Sequence, residues 1–293
     1  MAMLSRKAKR RAAPYLLALP AFLLVAVFIY GVFAGIVQGF GIMPYLDRYD
    51  FTLEYFEKAL TRPDLLDSIL FSLYFSAVSS VAALAGGVLL SALLCYARTS
   101  RYVRLFGIQI PIMTMHALVA LAVICLFAGA GLFPRLLHAF GLADDPTSFT
   151  SVVGAPSGWG IIVVYLWKEI PFVAFTTLTI MRSISGTYGE AAHTLGANGL
   201  QTFFSVTLPL CRGAALRAFI VVFAFAFGSY EIPFLLGPSA PKALPVLAYI
   251  EFQDPDIINR CYAMALNGIT AGICTALSIV YYLTLRRDRK RGA

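Results

Sequence analysis

Three ionisable side chains stand inside otherwise apolar runs. Lys168 and Glu169 lie in Trp167-Lys168-Glu169-Ile170-Pro171-Phe172, and Glu231 lies in Gly228-Ser229-Tyr230-Glu231-Ile232-Pro233. A charge in an apolar medium is costly, so such groups face a bundle interior, a partner or a water-filled path; the chemistry open to them is the handling of an ion, a proton or a polar solute. Neighbours on a helix point about 100° apart, so Lys168 and Glu169 are expected to find separate partners. Pro171 removes a backbone donor two residues after Glu169 and can turn a freed carbonyl toward a path. Lys168, Glu169, Pro171 and Glu231 are therefore candidate lining of a path. A structural ion pair with another segment accounts for Lys168 and Glu169 equally well, and Glu231, near the end of its run, can simply reach the interface.

Covalent chemistry has no footing. There is no His-Glu-x-x-His, no Gly-x-Ser-x-Gly and no pair of aspartates in an apolar run, so no nucleophile, base or metal pair is in place for an intramembrane enzyme, and no catalytic residue is expected. His116, His138 and His193 are scattered and form no metal constellation. Cys95, Cys125, Cys211, Cys261 and Cys274 lack the paired spacing of metal or redox sites and read as packing residues. None of the six lysines follows a glycine, so the phosphate-holding Gly-Lys-Ser/Thr loop is missing and any ATP hydrolysis must belong to another polypeptide.

The elements that position these residues follow from composition. Of 293 residues, 59% are hydrophobic and 13% charged, and the mean hydropathy is +0.79, outside the range of ordinary soluble domains. About 20 apolar residues cross a bilayer as a helix. Six runs qualify: Pro14 to Val37, Ile69 to Tyr96, Leu105 to Ala130, Trp159 to Ser183, Ala214 to Leu236 and Tyr262 to Leu285. The first follows Arg6, Lys7, Lys9, Arg10 and Arg11 but is too long for a secretory signal and lacks a clear cleavage site, so it reads as an uncleaved transmembrane helix. The expectation is an all-α polytopic membrane protein with about six transmembrane helices: a basic tail over 1–13, one membrane domain over 14–285 and a second basic tail over 286–293.

Basic residues near span ends stay in the cytoplasm. They crowd both tails, the loop with Arg98, Arg101 and Arg104, and the surroundings of Arg182, Arg212 and Arg217. The opposite side is rich in Asp and Glu. Both termini and the segment after the fourth span are thus expected in the cytoplasm. The net charge of +8 is a topology signal and not a nucleic-acid footprint. Outside, Thr52 to Leu60 reads as a short amphipathic surface helix with Thr52 as cap, suited to receiving a partner or merely lying on the surface, and 131–158 reads as a turn-rich loop. Within span two, Ala83, Gly87 and Ser91 form a small-residue ridge for close helix packing.

Between spans four and five, Glu190-Ala191-Ala192, three residues, Gly196, nine residues, Val206, one residue, then Leu208-Pro209 follow in fixed spacing. The first part favours a short helix from Thr187 to Ala197, with Glu190 near its start to suit the positive end of the dipole. Gly196 lets the backbone change direction. A second helix from about Leu200 should end at Leu208-Pro209, which redirects the chain into span five. The result is a rigid knuckle. This spacing resembles the Glu-Ala-Ala signature of binding-protein-dependent ABC importer permeases, the bacterial inner-membrane components; Val206 stands where Ile is usual.

The resemblance runs from Pro14 to the last span and implies a type I, MetI-like permease fold. Its coupling loop would be 184–212, where Glu190, Ala191, Ala192, Gly196, Leu208 and Pro209 dock a separate ATPase. It further implies two ATPase subunits, a second permease subunit, identical or related, and an extracytoplasmic solute-binding protein; no cofactor is implied. The segment around Glu231 resembles the polyamine, ferric-iron and thiamine branch. Membrane-level carboxylates suit a cation, so a spermidine- or putrescine-like solute is expected, with ferric iron, thiamine or a phosphonate as alternatives. An ion-coupled secondary transporter using Lys168, Glu169 and Glu231 as a relay is the competing class, though it has no need of the knuckle.

Overall fold

The computed structural model describes residues 6–96, 102, 105–142 and 151–291. Arg98, Arg101 and Arg104, and the turn residues Ala143 to Pro146, lie outside the described residues. Among the described residues, six helices are long and apolar enough to cross a membrane: Pro14–Gly39, Leu65–Cys95, His116–Ala139, Trp159–Ile184, Gly199–Gly228 and Asn259–Leu283. The chain divides into two compact units, Met1–Arg62 with Ile250–Gly268, and Pro63–Tyr249 with Ile269–Ala293.

In the first unit, α1 (Arg6–Gly39) already begins within the basic tail. Its glycines permit close approach to the start of the last helix: a Cβ at Gly35 would lie 3.3 Å from Met264 Sδ, and one at Gly39 would lie 3.3 Å from Ala265 N. The surface helix expected from the sequence is present as α2 (Glu54–Leu60), but Leu53 and not Thr52 stands at its N-cap; the Thr52 hydroxyl accepts from the Glu54 N–H at 3.1 Å. Phe40 holds it, its ring stacked at 5.0 Å on Phe51 and tilted at 5.0 Å against Phe56. Arg62 donates to Glu251 at 2.7 Å and to the Tyr262 hydroxyl at 3.2 Å, tying α2 to the segment before the last helix.

The second unit is built on α3 (Leu65–Tyr96). The fourth span is α7 (Trp159–Ile184), which runs unbroken through Pro171. Lipid tails are as apolar as leucine, so close contact and hydrogen bonds select the partners of a membrane helix. The small-residue ridge answers this, and α7 is the helix it meets. A Cβ on Gly87 would fall 2.5 Å from Val173 Cβ and 2.9 Å from the Ile170 carbonyl. Ala83 packs with Val173, Ala218 and Val222. Ser91 donates to the Ala174 carbonyl at 3.1 Å and sits 2.6 Å from the Thr177 hydroxyl. The stripe continues outward as buried Ser68, Ser72, Ser76, Ser79 and Ser80, which the sequence reading passed over; Ser72 accepts the Leu244 N–H at 2.8 Å.

Two expected spans differ in their ends. The run Leu105 to Ala130 is not one helix. A π turn over Leu105–Gln109 leads into α4 (Ile110–Met113), the chain is extended at Thr114 and Met115, and α5 (His116–Phe127) and α6 (Leu132–Ala139) follow. The physical cause is the removal of acceptors: Lys168 donates to the Ile112 carbonyl at 3.1 Å and to the Thr114 carbonyl, which a continuous helix would have spent on the next turn. The fifth span also shifts. It is helical from Gly199 to Gly228, breaks where Ser229 is extended, and resumes as the short helix Glu231–Leu236.

Candidate functional site

The knuckle starts as a prolongation of α7. A π turn over Ser185–Gly189 carries the helical backbone into α8 (Glu190–Thr194). Glu190 therefore lies within a continuous helical run and not beside a free helix start, which corrects the expected dipole contact. The Ser-Gly-Thr-Tyr-Gly stretch does not break the helix; the wider π turn absorbs it, a feature common at functional sites. Gly196 then takes φ +86°. Ala197 N–H reaches back to the Ala192 carbonyl at 3.1 Å, the six-to-one bond of a Schellman stop.

The return arm begins at Asn198. Its side chain accepts from Gln201 N–H at 2.8 Å, while its own N–H donates to the Gln201 side chain at 3.0 Å. This capping box, Asn-x-x-Gln, was legible at spacing three and went unread. It starts α9 (Gly199–Thr202). A π turn over Phe203–Thr207 follows and flows into α10 (Leu208–Gly228). Leu208-Pro209 thus does not end the second helix, as the sequence suggested. Pro209 falls in the first turn of α10, where its missing N–H is absorbed by the π turn. We expect Asn198→Ala to weaken this arm by about 1 kcal/mol, read as roughly fivefold faster hydrogen exchange at amides 199–202.

Ala192 is buried against the turn, whereas Glu190, Ala191, Gly196 and Pro209 are exposed and Leu208 and Val206 half-buried. The tip is apolar and open: Leu195 is 89% and Leu200 74% exposed. A soluble surface rarely leaves such residues bare together without a partner.

The second site lies in the membrane-spanning part of the Pro63–Tyr249 unit. Lys168 and Glu169 are buried, at 7% and 4% exposure, and differ in their hydrogen bonding. Lys168 is held by the carbonyls of Ile112 and Thr114. Both carboxylate oxygens of Glu169 lack a hydrogen-bond partner among the described residues. The two side chains line one cavity with Ile112, His116, Phe172 and Phe225. Pro171 is buried beside them, and the carbonyl its ring leaves without a donor is that of Trp167. Glu231 is not among the cavity's residues; it is exposed, at the start of α11 (Glu231–Leu236). Sequence reasoning brought together Lys168 and Glu169 but missed His116 and Phe225, whose rings lie 4.9 Å apart. Among the described residues, no group of three potential metal ligands occurs.

Residues 5–290 match the family described as the inner membrane component of binding-protein-dependent transport systems. The chain is 24% identical over 287 residues to the "Probable ABC transporter permease protein YurN" of Bacillus subtilis (strain 168), covering 91% of this chain and 94% of that one. It is 25% identical over 191 residues to the sulfoquinovosyl glycerol transport system permease SmoG of Agrobacterium fabrum (strain C58 / ATCC 33970), covering 62% of this chain and 61% of that one. A chain of a bacterial ABC transporter that imports the acidic polysaccharide alginate superposes with TM-score 0.77 at 18% identity, over 96% of this chain and 98% of that one. With the match spanning nearly its whole length, the chain belongs to the family of binding-protein-dependent transport system inner membrane components, the multi-pass permeases of ABC importers.

Proposed function

We propose that the chain is the subunit through which ATP hydrolysis on a separate ATPase pair is converted into opening and closing of a membrane path. The observation that carries this reading is the knuckle: one rigid helix–Schellman turn–capped helix, continuous at both ends with spans four and five, with Leu195 and Leu200 bare at its tip. A push on such a tip moves both spans, because no loop intervenes to absorb it. Glu190, Ala191, Ala192 and Gly196 form the docking arm, and Leu208 and Pro209 the root of the return arm. A second permease copy or relative completes the path, a binding protein delivers the solute on the other side, and both termini lie with the knuckle in the cytoplasm. Alternating access then couples two distant sites through a two-state element.

For the solute, a saccharide is the first reading, supported by the relatives that carry sulfoquinovosyl glycerol and alginate. A polyamine-like cation is the second, favoured by the unpartnered carboxylate of Glu169. Ferric iron has a ferric transport system permease among the relatives, matched over 143 residues, but no feature of this chain favours it, and thiamine and phosphonate have no such observation in this chain.

Purification from the native membrane in mild detergent, wild type beside Glu190→Arg, tests the coupling. The expected result is an ATPase that accompanies the wild-type chain and is lost from the mutant. A wild-type chain that purifies alone and moves solute under an ion gradient would establish the secondary-transporter reading instead.

A further inference from the structure

The cavity between Lys168, Glu169 and the aromatic side chains holds hydrogen-bonding capacity that the protein itself does not use. Its volume is about 200 Å³, below the roughly 300 Å³ at which pockets for drug-sized molecules begin, so it admits one small ring at a time. Glu169 lines it, almost wholly buried, with two oxygens that accept from nothing among the described residues. A buried carboxyl without partners is costly, and what it lacks is donors. Two carboxylate oxygens side by side match two donors side by side, which adjacent hydroxyl groups or an amine-type cation can offer.

Lys168 decides between them. Its ammonium is one residue away, lines the same cavity, and is anchored to the Ile112 and Thr114 carbonyls. With Glu169 ionised the two charges offset each other and a cationic solute gains little net attraction here; with Glu169 protonated it meets the ammonium alone in a medium of low dielectric. An uncharged donor is not repelled in either state. The remaining walls are Phe172, Val221 and Phe225, with His116 packed on Phe225; these give a flat apolar face for the C–H side of a ring.

We infer that this cavity is a solute site in which Glu169 accepts hydrogen bonds from adjacent hydroxyl groups of an uncharged sugar ring that lies against Phe172 and Phe225. The inference rests on the importer reading and assigns the substrate class to a place within it.

Val221 lines the cavity and is not covered by the rest of the chain, so modification at this position is used to report occupancy. Val221→Cys, assembled with its partners in proteoliposomes, is labelled with a small methanethiosulfonate reagent. Modification is read at residue 221 by peptide mass spectrometry, which keeps the native cysteines out of the signal. Methyl α-D-glucoside, spermidine and sodium sulfate are each supplied at about 100 mM, enough to fill a site of millimolar affinity. The glucoside is expected to slow labelling several-fold where spermidine and sulfate do not. Added Glu169→Ala should abolish the protection and Glu169→Gln weaken it. Protection by spermidine without the glucoside, protection by no probe, or glucoside protection that survives Glu169→Ala in an assembled complex would each overturn the site. Where both Glu169 variants fail to assemble, the comparison of glucoside with spermidine in the Glu169 chain decides. Recovery of the ATPase with the wild-type chain is scored separately: a failed protection experiment with the ATPase bound removes this site alone, whereas an absent ATPase removes the importer reading.

Discussion

Gly87→Ala is expected to lower the melting temperature of the detergent-solubilised protein far more than any other single-methyl addition to a glycine in its helices. The added carbon would stand 2.5 Å from Val173 Cβ, 2.6 Å from Val173 Cγ1 and 2.9 Å from the Ile170 carbonyl oxygen. The first and last of these cannot swing aside, because one is a branched carbon fixed to the backbone and the other is backbone. Relief requires that α3 and α7 separate, and with them go the Ser91 to Ala174 bond and the Ser91 and Thr177 contact. Overpacking of this kind costs about 1–3 kcal/mol, and loss of an interhelical hydrogen bond in a membrane adds roughly 0.6 kcal/mol. Two neighbouring substitutions calibrate the result. Gly86→Ala would meet only the flexible end of Ile170, at 3.1 Å, and Gly272→Ala would meet nothing within 4 Å. Melting temperatures in the order Gly272→Ala, Gly86→Ala, Gly87→Ala, with the last clearly separated, are expected. If Gly87→Ala melts together with Gly272→Ala, close approach along the ridge is not what joins these two helices.

The ridge also illustrates what one chain of letters conveys about a membrane fold. Small residues at intervals of four announced a contact, but not with which helix, because every span offers an apolar face and hydrophobic periodicity loses its meaning when lipid and core are alike. The knuckle was legible for a different reason. Gly196 and the spacing around it describe local backbone geometry, and the left-handed φ at that glycine is the change of direction that its residue type suggested. Local geometry also explains two misreadings there, the helix start at Thr187 and the helix end at Leu208-Pro209: glycines and prolines are ordinary helix breakers, yet π turns accommodate both stretches within continuous helix. The break at Thr114 had no local signal at all. Ile110 to Phe127 is apolar but for Thr114 and His116, neither of them a helix breaker, and what interrupts it is a lysine more than fifty residues further along the chain, whose ammonium takes the carbonyls that a continuous helix would use. Lys168 was correctly read as needing a partner; that the partner is backbone, and not an acidic side chain, depends on tertiary structure.

That partnership makes Lys168→Met the second substitution with a large expected effect. It removes the donor from two carbonyls at the end of α4 and leaves Glu169 as the one ionisable residue of the two in an apolar wall. Each buried acceptor without a partner costs about 1–3 kcal/mol, so the single mutant should lose several kcal/mol, seen as poor recovery of monodisperse protein and a steep fall in melting temperature. Lys168→Met with Glu169→Leu separates charge from geometry. Replacement of buried ionic groups by apolar side chains of similar volume is often neutral or stabilising, so the double mutant should recover the share of the loss that the lone Glu169 carboxyl causes, while the two carbonyls still lack their donor. It should not recover solute uptake, because the carboxylate is gone. Equal stability of the single mutant and the wild type would mean that the Ile112 and Thr114 carbonyls find other donors and that Lys168 does not hold the break open. Full uptake by the double mutant would mean that the path for solute runs elsewhere. The combination of partly restored stability and absent uptake is what a charge retained for binding, and not for folding, requires.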